Sequence, residues 1–153
     1  MRLFRRRSPL RALEATVSHV VVDAANVVGS RPDGWWRDRA GAARRLAEQI
    51  DATLRTDPEA LADAVGVPPD DLHVPLVLEG AARRAEPDIT DPRLEIVRAP
   101  ADGDHTIAEL ARQLAEQGDD VVVVTADRGL RERVRAAGAR AVGPGTLLHA
   151  LTR

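Results

Sequence analysis

Short runs of β-branched residues alternate with amphipathic stretches along most of this chain, and that alternation limits its fold more than any other feature. Val20, Val21 and Val22, and later Val121 to Val124, are apolar at every position rather than at every second one, the pattern of strands covered on both faces. Strands of that kind belong to parallel sheets, whose neighbours are joined by right-handed crossovers, and here the intervening segments have helical spacing. The pattern predicts strands over 17–23, 73–78, 94–97, 121–125 and 139–142, and helices over 38–54, 58–65, 104–117 and 128–137, with Gly143 to Gly145 introducing a last helix that ends at Leu151. Ala42, Ala43, Leu46, Ile50 and Leu54 form the apolar stripe of the first helix. Asp38, Asp57 and Asp104 are the expected N-caps, Pro58 suits a first helical turn, and Gly118 and Gly138 suit helix ends. Residues 24–34 are expected to redirect the chain, with Gly29 permitting a tight turn. Pro75 lacks an amide donor, which predicts an edge or a bulge for the early part of its strand. The expected architecture is a three-layer α/β/α domain around a mostly parallel sheet of four to five strands.

At 153 residues the chain suits one domain with its own core. Residues 1–16 read as an arginine-rich N-terminal extension, with Arg2, Arg5, Arg6, Arg7 and Arg11 preceding the first acid at Glu14, and residues 17–153 as the folded domain. Cysteine is absent, which excludes a disulfide framework, a thiolate zinc site and a cysteine nucleophile. No apolar run approaches the roughly 20 residues of a membrane span, and the basic start lacks the apolar segment of a secretory signal. The expected location is therefore cytoplasmic, with no membrane partner. A net charge of -2 gives no global attraction for nucleic acid. All 22 basic residues are arginines, which favours bidentate phosphate contacts, although a GC-rich coding bias produces the same composition. The chain has no Gly-x-x-x-x-Gly-Lys loop, which excludes that route to ATP-driven chemistry.

Asp23, Glu79, Asp104 and Asp127 each follow a predicted strand. In a parallel sheet the carboxyl ends of the strands share one edge, where open α/β folds place their ligand crevice. Carboxylates crowded there repel and raise one another's pKa, so they stay ionised only where cations neutralise them, and hard oxygen donors suit Mg2+ or Mn2+. Each acid also has a plainer reading. Asp23 or Asn26 could cap a turn, Glu79 could be a loop acid, and Asp104 could cap a helix, although one carboxylate oxygen can cap while the other faces a cation. Arg31, Arg37, Arg39, Arg83, Arg84 and Arg128 could line the crevice as phosphate-binding groups or pair with surface acids. Trp35 and Trp36 are adjacent and cannot both point into one core, so at least one is expected at the surface, to stack on an unpaired base or to cover the crevice wall.

The segments Val-Asp-Ala-Ala-Asn-Val-Val-Gly-Ser-Arg-Pro-Asp-Gly-Trp-Trp-Arg-Asp-Arg (22–39), Gly-Asp-His-Thr-Ile (103–107) and Val-Thr-Ala-Asp-Arg (124–128) resemble the NYN branch of PIN-like nucleases. The likeness spans most of residues 17–151. It implies a PIN-like domain whose sheet edge binds Mg2+ or Mn2+ and hydrolyses RNA phosphodiesters, with RNA as the partner. By that resemblance Asp23, Asp104 and Asp127 are metal ligands, Asn26 supports the first of them, and Glu79 matches an acid often found as Phe-Asp-Gly. This chain departs from the pattern at His105, where related sequences commonly carry a second acid, and at Glu79, one methylene longer than aspartate. Metal number, and whether His105 carries protons or is merely solvated, stay open, as does homodimerisation. Two other readings remain: an RNA-binding PIN-like module that cleaves weakly or not at all, and a metal-dependent nucleotide phosphohydrolase.

Overall fold

The computed structural model describes residues 16–151, so the arginine-rich extension, apart from its last residue, lies outside the described residues. The first strand, β1 (Ser18–Asp23), is buried at every position. It forms the centre of a five-stranded sheet with β2 (Leu72–Leu78), β3 (Leu94–Arg98), β4 (Asp120–Val124) and β5 (Arg140–Val142), in the order β3-β2-β1-β4-β5. Every pairing is parallel. The chain builds outward from β1 through β2 to β3, then returns to the other side of β1 for β4 and β5. That reversal puts the topological switch point between the carboxyl ends of β1 and β4.

Six helices cover the sheet: α1 (Ala24–Gly29), α2 (Arg39–Thr56), α3 (Pro58–Val65), α4 (Gly103–Glu116), α5 (Arg128–Ala136) and α6 (Pro144–Leu151). Strand side chains alternate between faces, and the two cores follow that period. Val20, Val22, Val122 and Val124 pack with Val27, Leu46, Ile50, Leu61 and Leu147 from α1, α2, α3 and α6. Val21, Val121 and Val123 pack with Ile107, Leu110, Leu114, Leu130 and Val134 from α4 and α5. Both valine runs are fully apolar because both faces of the sheet are covered.

Three local expectations change. Residues 24–29 are helical: Ala24, Val27 and Val28 are buried on one side of α1, a segment too short to show a helical period by itself. Gly29 closes that helix without the left-handed backbone that a tight turn would need, which appears instead at Gly34 with φ +78°. Pro75 lies at neither an edge nor a bulge. β2 is an internal strand, and its ladder with β1 lapses between His19↔His73 and Val22↔Leu76 while keeping one register, so no residue is inserted. The missing proline donor is accommodated by that gap on the β1 side, while Pro75 still aligns with Glu95 of β3. Finally, α4 begins one residue earlier than predicted and Asp102, not Asp104, is its cap, accepting from the His105 amide at 2.8 Å. Asp38 and Asp57 cap α2 and α3 as expected. Among the described residues no helix is long and apolar enough to cross a membrane.

The amino edge of the sheet carries a polar row. The His19 and His73 rings share a 2.7 Å Nδ1 to Nδ1 hydrogen bond, and their other nitrogens reach Asp119 at 2.8 Å and Glu95 at 2.7 Å. On the α2 face, the buried Asp51 accepts from the backbone amides of Thr90 and Asp91 at 2.9 and 2.8 Å and from Arg55 at 2.9 Å, tying the loop before β3 to the helix. Burial alone would raise the Asp51 pKa, but those amides and Arg55 outweigh it and hold the carboxyl below its ordinary value. Asp91 is lowered chiefly by its hydrogen bonds with Arg93. Stability from both acids is present above the unfolded aspartate range and is lost as pH falls through the lowered folded values. Asp51→Asn should therefore cost about 1–3 kcal/mol at neutral pH and flatten the acid limb of stability; chemical denaturation across pH checks this.

Candidate metal centre and active site

Because all five strands run the same way, their carboxyl ends share one edge. Asp23 ends β1, Glu79 follows β2, Asp104 lies in the first turn of α4 after β3, and Asp127 caps α5 after β4. All the predicted acids therefore reach the same edge.

Asp23 is only 2% exposed. Its Oδ2 accepts from Asn26 Nδ2 at 2.7 Å and from the Thr125 hydroxyl at 2.8 Å, while Oδ1 has only a 3.4 Å contact from the Asn26 amide. The Asn26 carbonyl oxygen in turn accepts from the Ala126 amide at 3.3 Å, and Thr125 Oγ1 accepts from the Asp127 amide at 3.1 Å. Asn26 and Thr125 thus fasten the end of β1 to the end of β4, across the switch point. Burial pushes the Asp23 pKa up, the charges on Asp104 and Glu79 push it further, and the Thr125 and Asn26 hydrogen bonds only partly oppose this.

Asp127 and Glu79 divide their oxygens between scaffold and crevice. Asp127 Oδ1 caps α5 through the Leu130 amide at 2.8 Å. Glu79 Oε2 accepts from the Gly103 amide at 2.7 Å, which pins the end of β2 to the start of α4. A Cβ at Gly103 would stand 3.1 Å from Glu79 Cδ, so only glycine allows this approach without displacing the glutamate. Released from capping by Asp102, Asp104 accepts no hydrogen bond from the described residues. Its pKa is raised by burial first and then by Asp127, Glu79 and Asp102, with Arg133 opposing. Asp23, Glu79 and Asp104 are therefore within electrostatic reach of one another, and Asp127 is within reach of Asp104.

The arginines divide. Arg83 donates to the carbonyls of Ala99 and Pro100 at 3.2 and 3.4 Å, bracing the loop before α4. Arg37 and Arg39 lie over the Trp36 and Trp35 rings, with the guanidinium carbons 5.8 and 5.2 Å from the ring centroids. Arg84 and Arg128 are exposed, and Arg31 is half-buried. Trp36 is 56% exposed, whereas Trp35 packs against the core. His105 is exposed in the first turn of α4.

Three residues at this edge were not singled out from sequence: Thr125, Arg133 and Arg131, whose Nε donates to the Thr125 carbonyl at 2.9 Å. Thr125 carried a signal, as a fully buried polar residue closing an apolar strand. The arginines carried none that separates them from Arg128 and Arg135 on the same helix.

Among the described residues, no three histidine, aspartate or glutamate side chains stand together as a ready-made metal cage. Magnesium does not require one, since it keeps several waters and binds through one or two carboxylates plus substrate phosphate. The carboxylates of Asp23, Glu79, Asp104 and Asp127 are hard donors at one partly buried edge, and one or two of them fit a hydrated cation held in that way.

The chain matches no family model and no curated protein. It is similar to two crystal structures of Rae1 (YacP) from Bacillus subtilis. One is of a W164L mutant, at 18% identity over 89% of this chain and 76% of that one, with a TM-score of 0.63. The other, at 18% identity, covers 87% of this chain and 72% of that one, with a TM-score of 0.61. The likeness is one of fold, a five-stranded all-parallel sheet flanked by helices, consistent with a PIN-like domain.

Raised folded values mean that the native state binds protons at Asp23 and Asp104 more tightly than the unfolded chain. Stability should accordingly fall as pH rises from the ordinary aspartate range through those raised values. In chelator above that range, Asp104→Asn should melt higher than wild type, and added Mg2+ should raise the wild-type Tm more than the variant's. Thermal melts across pH, with and without Mg2+, check both.

Proposed function

We propose that the protein is a metal-dependent endoribonuclease that hydrolyses RNA phosphodiester bonds at the carboxylate edge of its sheet. The observation that carries this reading is the convergence of Asp23, Glu79, Asp104 and Asp127 at one edge, with Asp23 and Asp104 held above their ordinary pKa partly by neighbouring acids. An acidic crevice repels a phosphodiester unless a cation mediates. Bound Mg2+ or Mn2+ would supply charge neutralisation and a more acidic water for in-line attack on phosphorus.

The protein's own part is positioning. Asp23 Oδ1 has only the 3.4 Å contact from the Asn26 amide, whereas Asn26 and Thr125 hold the carboxylate through Oδ2. The Leu130 amide does the same for Asp127, and Gly103 for Glu79. Three of the four carboxylates are thus fixed by hydrogen bonds and need little reorganisation when a cation and substrate arrive. Asp104 and Arg133 set the local balance of charge. Arg31, Arg37, Arg39, Arg84 and Arg128 offer phosphate contacts along the rim, and no glycine-rich phosphate loop competes for that role. The resemblance to NYN-type nucleases selects RNA as the polymer.

A second reading, an RNA-binding PIN-like module that cleaves weakly or not at all, is favoured by the missing three-ligand cage and by the exposed His105 where related sequences carry an acid. Labelled RNA, single-stranded DNA and nucleoside triphosphates, each incubated with manganese or with chelator, separate the readings. RNA loss should depend on manganese and fall at least a hundredfold in Asp23→Asn. In Thr125→Val, which removes one hydrogen bond from Asp23, the loss should be about 10–100-fold. RNA binding without cleavage supports the module, and triphosphate turnover with intact RNA supports a nucleotide phosphohydrolase.

A further inference from the structure

Beside Glu79 lies a pocket of about 260 Å³ whose lining includes Ala24 and Val28 of α1, Ala43 of α2, Trp35 and Arg39. Because Glu79 is part of that lining, the pocket is continuous with the carboxylate edge. Trp35 is held in place: its indole packs on the core, Arg39 lies 5.2 Å from its centroid, and the Trp36 ring stands edge-on at 5.9 Å and 88°. Most of the remaining lining is small and apolar, so the space is a slot with an aromatic wall and charged groups at its borders.

A second, more open depression of about 410 Å³ is lined by Arg83, Arg84 and Arg98. Gly80 borders both depressions. Its φ of +56° turns the chain sharply there, and no atom lies within 4 Å of where a Cβ would stand. Arg98 donates to the carbonyls of Arg83 and Ala85 at 2.9 and 2.7 Å, and Arg83 to those of Ala99 and Pro100, so two guanidinium groups are anchored by neutral acceptors. Among the described residues, no carboxylate pairs with any of the three. Their positive charge is left for a ligand to neutralise.

We propose that these adjoining depressions bind one unpaired nucleotide of the substrate, with its base in the Trp35 slot and a flanking phosphate on Arg84 and Arg98. A nucleobase has two apolar faces for an aromatic wall and a polar edge for charged borders, and it is covalently joined to the phosphate that the arginines need. An apolar protein side chain would fill the slot but leave the arginines unmatched. This rests on the nucleic-acid reading above and sharpens it: the substrate is single-stranded at the cleavage site, because a paired base cannot enter the slot.

The chain has two tryptophans and no tyrosine, so Trp36→Phe leaves Trp35 as the only indole. That variant, in chelator to prevent cleavage, is titrated with a dye-labelled single-stranded RNA oligomer, its duplex, an abasic version and a nucleoside monophosphate, reading Trp35 emission and dye anisotropy together. Single-stranded RNA should quench Trp35, and duplex and abasic RNA should not. Ala82 also lines the slot; Ala82→Leu, which narrows it, and Arg84→Ala, on its phosphate side, should each weaken binding roughly tenfold. Binding of single-stranded RNA without quenching, or equal quenching by abasic RNA, overturns the pocket. Equal affinity for the monophosphate overturns the polymer assignment in favour of a free-nucleotide site. RNA that quenches Trp35 but survives added manganese overturns the nuclease reading alone, and RNA that is cleaved without ever quenching Trp35 overturns the pocket alone.

Discussion

The hydrogen bonds that Asn26 and Thr125 donate to the Asp23 carboxylate hold the carboxyl edge of the sheet together. Asp23 ends the central strand, at the point where strand order reverses, and Thr125 follows the neighbouring strand. Their contact therefore joins the two halves of the sheet at the switch point. The same carboxylate begins α1 through the Asn26 amide. α1 in turn supplies Ala24 and Val28 to the pocket beside Glu79. The placement of one buried acid thus fixes the end of β1, the start of a helix and a wall of the adjoining slot.

That arrangement works against stability. A buried carboxylate among other acids favours its protonated form, and Asp23 and Asp104 are both displaced in that direction. The fold tolerates the conflict by committing one oxygen of Glu79 and Asp127 to scaffold donors, and by giving Asp23 Oδ2 two close donors while Oδ1 has only the 3.4 Å Asn26 amide. Asp104 is the exception, because Asp102 takes over the helix cap. Gly103 belongs to the same design, since a larger residue would press on Glu79. Elsewhere, buried Asp51 is held below its ordinary pKa by amides and Arg55, as expected of an acid with a structural role. Asp51 and Asp23 both accept structural hydrogen bonds, but only for Asp51 do those bonds outweigh burial.

Much of this was legible in the sequence, and the exceptions have physical causes. The valine runs revealed the parallel sheet because burial on both faces leaves no polar alternation. Asp38 and Asp57 were readable as caps because a cap acts within one turn. In Asp-Gly-Asp, two acids had nearly equal claims on the next helix, and only its first residue at Gly103 decided for Asp102. α1 is shorter than two turns and was hidden beneath its turn-like composition. Pro75 signalled a break in pairing, but which side of the strand would bear it depends on neighbours far away in the chain. The four acids were found because strand ends in a parallel sheet share an edge. The partners Thr125, Arg131 and Arg133 were not, because their roles are set by how α5 and β4 pack.

The central claim is that the carboxylate edge holds a hydrated cation through Asp104 and Asp127 beside Asp23 and Glu79, and manganese binding followed by the loss of its free-ion electron paramagnetic resonance signal tests it directly. The account predicts that the wild-type protein binds manganese without RNA, that Asp104→Asn and Asp127→Asn each weaken binding about tenfold or more, and that neither changes the far-ultraviolet circular dichroism. No binding by the wild-type protein, or equal affinity in all three proteins, would contradict it.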